Sequence, residues 1–317
     1  MPLRGRSLAS RAGTSAVDAD AVRPPKNRWN SATNSFTLER VNVRLYTSPD
    51  DFGRVARWVY RKDPVQFTTE LTTLRTSRWP ADRLLLSVAD CDGTVGAALQ
   101  MSDAVLLVNG LPPTSSKEAA LALAPVCGDL PAVRGTRSTA TAFSQAWVEA
   151  TGVGATVGFQ ETLYRLDELH EPAGVAGDVR PACPDDDELL AEWFDAFFVE
   201  AFGKPSNRDA SRDVLRAVAA AGGTVVLWTL DDEPVAMARV HGCLLGMARI
   251  GPVYTRPQSR GHGYGAAVTA AAVRHAWRDH ARNVVLFADV ANPVSNGVYR
   301  RLGFVPVAEH VQYEFAA

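Results

Sequence analysis

An arginine and three alternating glycines stand together in the second half of the chain, in the run Arg260-Gly261-His262-Gly263-Tyr264-Gly265. Glycine permits positive φ angles and lets a ligand approach the backbone where a Cβ atom would otherwise stand. The alanine-rich residues that follow predict a helix over residues 262–282, whose first N–H groups and positive dipole end would face the turn. We therefore expect the turn to bind the two linked phosphates of a nucleotide cofactor, with Arg260 adding a positive charge.

Two classes of cofactor site use such a turn. The dinucleotide-binding pattern G-x-G-x-x-G/A is matched by Gly261, Gly263 and Ala266, but it also requires two βαβ units and an acidic residue ending the second strand. Asp289 is placed to be that acidic residue, yet only 28 residues follow it, too few to complete the sheet. A nicotinamide-dependent oxidoreductase is therefore the less favoured interpretation.

A second group of polar residues follows the predicted helix, in the segment NVVLFADVANPVSNGVYRRLGFVPV at residues 283–307. The pattern predicts a strand, a short helix over residues 294–301, a Gly-Phe turn and a closing strand. Asn292, Asn296 and Tyr299 are spaced i, i+4 and i+7, so they share one face of that helix. This face would bring the phenol of Tyr299 beside whatever the glycine turn holds.

The two motifs together resemble those of the GNAT superfamily of N-acetyltransferases. Arg260, Gly263 and Gly265 meet the R/Q-x-x-G-x-G/A pattern of the family's acetyl-CoA diphosphate loop, and an N-x-x-S/A-x-x-x-Y helix and a G-F turn follow in the family's order. The resemblance covers residues 247–317. It implies an α/β (α+β) fold built on a mixed, mostly antiparallel, twisted sheet flanked by helices.

The resemblance implies an N-acetyltransferase that transfers an acetyl group from acetyl-CoA to a primary amine by direct attack in a ternary complex. In the family, the strand before the turn contacts the pantetheine arm, and the turn contacts the diphosphate. Tyr299 is the expected acid for the departing thiolate, since such thiols have a pKa of about 8.5. The expected cofactor-binding residues are Val253, Tyr254, Thr255, Arg260, Gly261, His262, Gly263, Tyr264, Gly265, Asn292 and Asn296.

Two roles stay open at this point, and so does an alternative function. The remaining phosphate of the cofactor has three candidate partners, Arg256, Arg300 and Arg301. The proton acceptor for the amine has four candidates by residue type alone, which are Asp289, His241, Glu200 and Asp195. The alternative function is a non-catalytic acyl-CoA-binding or sensing module.

The first half of the chain repeats the plan of the second. LLLSVADCDGTVGAAL begins 43 residues after Val41, and VVLWTLDDEPVAMARV begins 46 residues after Val179; each predicts a strand, an acidic turn and a strand. We predict two tandem GNAT-like domains: a degenerate one over residues 39–172 and a catalytic one over residues 173–317. An unrelated α/β domain is the alternative for the first of these.

A residue-by-residue alignment of the two halves, which we call the finer register, is suggested by a similar tripeptide in each. Val133-Arg134-Gly135 resembles Ser259-Arg260-Gly261. In this register Arg137 and Thr139 occupy the positions of Gly263 and Gly265. Side chains at those positions would block the approach of a diphosphate, so we expect the first domain to bind no cofactor.

Charge and composition narrow the function classes. The chain has a net charge of −2, and residues 39–172 and 173–317 each carry −3, so neither has the basic excess of a nucleic-acid-binding protein. No apolar run approaches the ~20 residues that span a bilayer. The expected partner is a small-molecule or peptide amine, with no nucleic acid or membrane, and the protein is expected to be a monomer or a homodimer.

The spacing of the cysteines and the composition of residues 1–38 indicate in which cellular compartment the protein is expected. Cys91, Cys127, Cys183 and Cys243 are widely spaced, which favours free thiols in the cytoplasm and no metal site. Residues 1–38 contain six Lys and Arg, two Asp and no apolar stretch typical of a signal peptide. We expect a disordered tail there.

Overall fold

The computed structural model describes residues 35–38, 41–76, 83–91, 95–101, 104–203 and 208–316. The chain passes twice through a similar series of strands and helices, which we call the first half (β1 to β7) and the second half (β8 to β13). The predicted boundary at residues 172 and 173 lies in the segment that joins the halves, residues 167–177. The predicted turn at Asp92-Gly93 lies outside the described residues.

The elements of the first half are β1 (Ser35–Leu38), β2 (Val41–Leu45), α1 (Pro49–Tyr60), α2 (Thr68–Thr76), β3 (Leu85–Asp90), β4 (Val95–Gln100), β5 (Leu106–Leu107), α3 (Pro113–Leu123), β6 (Ala132–Thr136), α4 (Arg137–Thr151) and β7 (Gly154–Leu166). β1 corrects one prediction, because it lies within the tail that we expected to be disordered. It is held by antiparallel pairing with β2. Residues 1–34 of that tail lie outside the described residues.

The elements of the second half are β8 (Asp178–Pro181), α5 (Asp187–Phe202), α6 (Arg208–Ala220), β9 (Thr224–Leu230), β10 (Glu233–Val240), β11 (Met247–Thr255), α7 (Tyr264–Arg278), β12 (Asn283–Asp289), α8 (Pro293–Arg301) and β13 (Phe304–Ala316). The predicted strand, glycine turn and helix over residues 247–282 are confirmed, although α7 starts and ends slightly inside its predicted range.

All of these strands join one sheet, in the order β1-β2-β3-β4-β5-β6-β13-β7-β12-β11-β10-β9-β8. The last strand of each half lies in the sheet of the other half: β13 pairs with β6, and β7 pairs with β12. β7 and β13 also pair with each other along their whole length. The halves are therefore joined through an exchange of their final strands, in a mixed and mostly antiparallel sheet as predicted.

Helices cover both faces of the sheet. α7 packs on one face through small side chains such as Ala267, Ala270 and Ala271, which let the helix lie close to β10 and β11. On the opposite face the helix pair of the first half reaches across to the second half. Leu71 of α2 shares a buried cluster with Met247 of β11 and Val285 of β12. No helix among the described residues is long and apolar enough to cross a bilayer.

The finer register predicted between the halves is wrong. Val133-Arg134-Gly135 belongs to β6, which runs parallel to β5 just as β12 runs parallel to β11. The counterpart of β6 is therefore β12, and the counterpart of the glycine turn is the loop at residues 108–112 between β5 and α3. The similarity of the two tripeptides was misleading, because residues 133–135 lie in a strand and residues 259–261 lie in the segment that leads into the glycine turn.

Candidate functional site

The parallel strands β11 and β12 separate part of the way along their length. They pair only between Met247–Ile250 and Asn283–Leu286. On its other side, β11 carries one extra residue between Ile250 and Val253 relative to β10, a β-bulge that bends the strand. We call the resulting opening, between residues 251–255 and residues 287–289, the strand gap. Alternate residues of β11 direct their N–H and C=O groups away from β10, and so toward this gap.

The glycine turn, residues 260–265, closes one end of the strand gap. Gly261 and Gly263 have φ angles of 83° and 84°, and both are exposed. Gly263 is the N-cap residue of α7 and provides no capping side chain. The N–H groups of residues 264–266 have no acceptor among the described residues, since the first intrahelical bond runs from Ala267 to Gly263. The turn therefore presents several unpaired donors at a helix N-terminus.

Close packing explains two of the glycines. A Cβ atom on Gly265 would lie 3.3 Å from the hydroxyl oxygen of Thr255, so glycine lets the first turn of α7 approach the end of β11. A Cβ atom on Gly263 would lie 3.1 Å from a methyl group of Val175, in addition to the strain of its positive φ. His262 is exposed, and its ring stacks on that of the buried Tyr264 with a centroid separation of 5.6 Å.

Arg260 has protein partners in this structure. Its guanidinium donates to both carboxylate oxygens of Glu200 at 2.7 Å and to the carbonyl of Thr255 at 3.0 Å. It also lies over the ring of Tyr254, whose pKa is raised by burial and by the Glu200 carboxylate. The positive charge is thus directed at α5, and its contact with a diphosphate stays a prediction. Arg256 likewise has a local partner, as its Nε donates to Ser259 at 2.8 Å.

The two asparagines of α8 hold this helix in place. Asn292 caps it by accepting a hydrogen bond from the N–H of Ser295 at 3.0 Å. Asn296 is buried and donates to the carbonyl oxygens of Asp289 and Asn292, both at 2.7 Å. Its Oδ1 accepts a hydrogen bond from the hydroxyl of Tyr164 on β7. Both side chains therefore have structural roles, and the cofactor contacts expected of them remain untested.

Tyr299 lies between α8 and the sheet with 8% of its surface exposed. Its ring packs edge-on against Phe304 at 6.1 Å, and its hydroxyl makes no hydrogen bond to a described residue. Burial raises the pKa of Tyr299 to about 12, so the phenol stays protonated at neutral pH. A neutral phenol without a protein acceptor is available to donate a proton or a hydrogen bond to a ligand.

The four candidate proton acceptors differ in their surroundings. Burial, with Arg249 and Arg239 nearby, lowers the pKa of His241 well below 6.5, which makes it a weak base. Glu200 is held in the ion pair with Arg260. Asp289 is exposed at the end of β12, where it accepts a hydrogen bond from the N–H of Ala291 at 2.8 Å. Asp195 is half-buried on α5. None of these arrangements singles out one residue as the base.

A cluster of charged side chains, which the sequence did not reveal, lies on the face of the sheet opposite α7. Arg134 of β6 forms an ion pair with Glu161 of β7. Arg249 of β11 donates hydrogen bonds to two threonines of α2, and Glu70 of α2 is buried beside it. Arg239 of β10 donates from Nε to the carbonyl of Gly251 at 2.7 Å, where the strand gap begins. These residues come from five elements of both halves, so no local motif connects them.

The corresponding loop of the first half, residues 108–112, is built differently. A Cβ atom on Gly110 would lie 2.4 Å from the ring of Tyr60 and 2.5 Å from the carbonyl oxygen of Ala97, so this glycine is enclosed. Pro112 and Pro113 begin α3 and have no N–H to offer. This loop therefore lacks the exposed glycines of the glycine turn.

The described residues contain no group of three or more His, Cys, Asp or Glu side chains that would hold a metal ion. All four cysteines are free thiols, two of them exposed.

Comparisons with known proteins agree with this architecture. Residues 188–304 match the family model described as "Acetyltransferase (GNAT) family". A comparison with curated proteins finds no match.

Several solved structures resemble both halves of the chain. An acetyltransferase of the GNAT family from Colwellia psychrerythraea has 12% identity and a TM-score of 0.57, with 86% of this chain and 99% of that chain covered. A GCN5-related N-acetyltransferase from Sphaerobacter thermophilus has 17% identity and a TM-score of 0.56, covering 88% and 97%. A tandem GNAT protein from the clavulanic acid biosynthesis pathway has 15% identity and a TM-score of 0.55, covering 87% and 99%. These identities show the fold alone, which confirms the predicted fold class.

Proposed function

We propose that the second half of this chain, of which residues 188–304 match the GNAT acetyltransferase family model, transfers an acetyl group from acetyl-CoA to a primary amine. The observation that carries the proposal is the strand gap, which ends at a glycine turn with unpaired N–H groups. The opening is lined by backbone on one side, and the helix that carries Tyr299 lies nearby. A nucleotide with a long, narrow arm fits this combination.

The chain supplies suitable groups for each part of coenzyme A. Val253, Tyr254 and Thr255 would offer backbone N–H and C=O groups to the pantetheine arm. The N–H groups around Gly263 and Gly265 would bind the diphosphate, with the dipole of α7 favouring the negative charge. The exposed Arg300 and Arg301 on α8 are available for the third phosphate.

The reaction would then need little more than alignment and one proton donor. Bound acetyl-CoA supplies a thioester carbonyl that a neutral amine attacks. Backbone N–H groups beside the bulge would stabilise the negative charge that develops on the carbonyl oxygen. The phenol of Tyr299, protonated at neutral pH because its pKa is about 12, would donate its proton toward the thiolate sulfur.

A non-catalytic acyl-CoA-binding or sensing module is the second candidate function. Two of the candidate proton acceptors are poorly suited to that role, which favours a non-catalytic function. His241 is a weak base, and the carboxylate of Glu200 is hydrogen-bonded to Arg260. Loss of the Tyr299 hydroxyl would slow a transferase and leave a sensor unaffected.

The direct test is acetyl-CoA binding by Gly263→Val, with Gly152→Val as the matched control. Gly152 ends α4 with a φ of 76°, so both substitutions impose a similar backbone strain, of about 1–2 kcal/mol. We expect Gly263→Val to weaken binding about tenfold or more, equivalent to losing one or two hydrogen bonds to charged oxygen. Gly152→Val should bind normally in a calorimetric titration. Equal affinity in both variants would refute the proposed cofactor site.

A further inference from the structure

Three arginines lie on the face of the sheet opposite α7, and two of them have an acidic neighbour. Arg134 is paired with Glu161. Burial lowers the pKa of Arg249 to about 10, while the nearby Glu70 carboxylate acts to raise it. In both cases an acidic side chain of the protein lies beside the buried arginine.

Arg239 has no such partner among the described residues. Its one hydrogen bond runs from Nε to the carbonyl oxygen of Gly251, and the charge that acts on it most is that of Arg249, which repels it. The guanidinium lies 5.4 Å from the ring of Phe194 on α5, a contact that stabilises a cation only partly. A guanidinium has five N–H donors, so four of them are left for another acceptor. Arg239 is half-buried, so part of the residue is exposed to solvent.

The position of Arg239 connects it with the proposed reaction. Gly251 is the first residue of β11 beyond its pairing with β12, so Arg239 stands at the start of the strand gap. Tyr299 and α7 lie on the other face of the sheet, in one core with Ile250. With Tyr299 on one face of the sheet beside the leaving sulfur, the other face, where Arg239 lies, is left for the acceptor amine.

We propose that Arg239 binds a carboxylate of the acceptor, so that the substrate is an amine with a carboxylate close to its nitrogen, as in an amino acid. This inference rests on the proposed function. A guanidinium and a carboxylate form two parallel, charge-assisted hydrogen bonds, and one carboxylate would pair with the one arginine of the three that lacks an acidic neighbour. A phosphate would bring a larger negative charge, and the other two arginines, Arg134 and Arg249, already have acidic neighbours.

The test compares amines that differ only in the carboxylate. Initial rates are measured for L-phenylalanine against phenethylamine and for L-leucine against isoamylamine, with O-phosphoethanolamine as the phosphate arm. We expect the amino acid of each pair to have a kcat/KM at least tenfold higher. Arg239→Gln should lower kcat/KM for the amino acids about 10- to 100-fold and for the plain amines less than about threefold, as expected for loss of a charge-assisted pair. Arg239→Lys should recover part of the preference.

Arg249→Gln is the matched control, since it removes a buried arginine that has an acidic neighbour, and it should leave the preference for amino acids intact. Calorimetric titration with N-acetyl-L-phenylalanine and N-acetylphenethylamine gives a readout that needs no turnover; only the first should bind, and Arg239→Gln should abolish that binding. If Arg239→Gln lowered kcat/KM equally for the amino acid and the plain amine of each pair, Arg239 would only hold Gly251 in place, and the inference would be wrong. A preference for plain amines or for O-phosphoethanolamine would overturn it while leaving the transferase in place. If no amine is acetylated, the proposed function fails, and the titration still decides whether Arg239 recognises a carboxylate.

Discussion

The hydroxyl of Tyr164 donates a hydrogen bond of 2.8 Å to Oδ1 of Asn296, and both side chains are buried. Tyr164 lies on β7, the last strand of the first half, whereas Asn296 lies on α8 of the second half, three residues before Tyr299. The exchange of final strands therefore places a side chain of the first half directly behind the helix that carries the proposed acid. The first half contributes to the candidate site even though its own corresponding loop is enclosed.

Removing this hydroxyl should affect turnover more than cofactor binding. Tyr164→Phe leaves Asn296 with an unpaired buried oxygen, so we expect a loss of about 1–3 kcal/mol in the free energy of unfolding. A shift of α8 would misplace Tyr299 and lower kcat roughly 3- to 10-fold, with KM for acetyl-CoA almost unchanged. Tyr313→Phe, which removes a hydroxyl bonded to Thr141 of α4, is the control and should leave kcat intact. A double-mutant cycle with Asn296→Ala should show a coupling above about 0.5 kcal/mol, and additive effects would contradict the proposed link.

The role of Tyr299 as proton donor is tested by Tyr299→Phe. The substitution keeps the ring that packs on Phe304 and removes only the hydroxyl. We expect kcat to fall about 10²-fold or more, the contribution of a general acid, while acetyl-CoA binds as before. Steady-state kinetics and a binding titration separate the two effects. An unchanged kcat would leave Tyr299 as a core aromatic residue and would mean that another group protonates the thiolate.

The contrast between the two halves predicts the number of cofactors. The glycine turn has exposed donors, whereas the loop at residues 108–112 is enclosed, and α3 begins with Pro112 and Pro113. A calorimetric titration with acetyl-CoA should therefore give one site per chain, and Gly263→Val should weaken binding at that site. A stoichiometry of two would show that the first half also binds the nucleotide.

Local patterns predicted most of the elements and the glycine turn, because helix periodicity, turn residues and the spacing of Arg260, Gly263 and Gly265 are all local properties. The partners of those groups were not predictable in the same way. That Arg260 would bond to Glu200, sixty positions earlier in the chain, depends on how α5 packs against the end of β11. Nothing in either segment of sequence specifies that contact.

The sequence also could not predict that β7 and β13 each pair with a strand of the other half, again because the pairing depends on tertiary structure. An alternating pattern says which residues of a strand face a core, but not which strand lies beside it. The same limit explains the wrong register, in which Arg134 was compared with Arg260 although it lies inside β6. Tyr164 and Arg239 gave no signal at all, since their importance arises only when strands of both halves come together.

The buried carboxyl of Glu70 makes stability depend on pH. Burial raises its pKa from 4.5 to about 7, although Arg134 and Arg249, which face it, act in the opposite direction. Tyr60 lies on the same side, and its own pKa is raised by burial and by Glu70. Between pH 4.5 and 7 the unfolded chain releases the Glu70 proton while the folded chain still holds it. The free energy of unfolding should therefore fall as pH rises through this window, by up to roughly 3 kcal/mol from this group.

Glu70→Gln removes the titration and keeps the shape, so the variant should lack this part of the pH dependence. We expect it to gain stability relative to the native chain as pH rises from 4.5 to 8, in urea unfolding measured at several pH values. Glu149→Gln is the control, because Glu149 is exposed and only loosely paired with Lys117 at 3.8 Å; its effect should be small and nearly constant with pH. If Glu70→Gln and the native chain instead kept a constant difference in the free energy of unfolding across this range, Glu70 would be ionised throughout, and its pKa would not be raised in the folded chain.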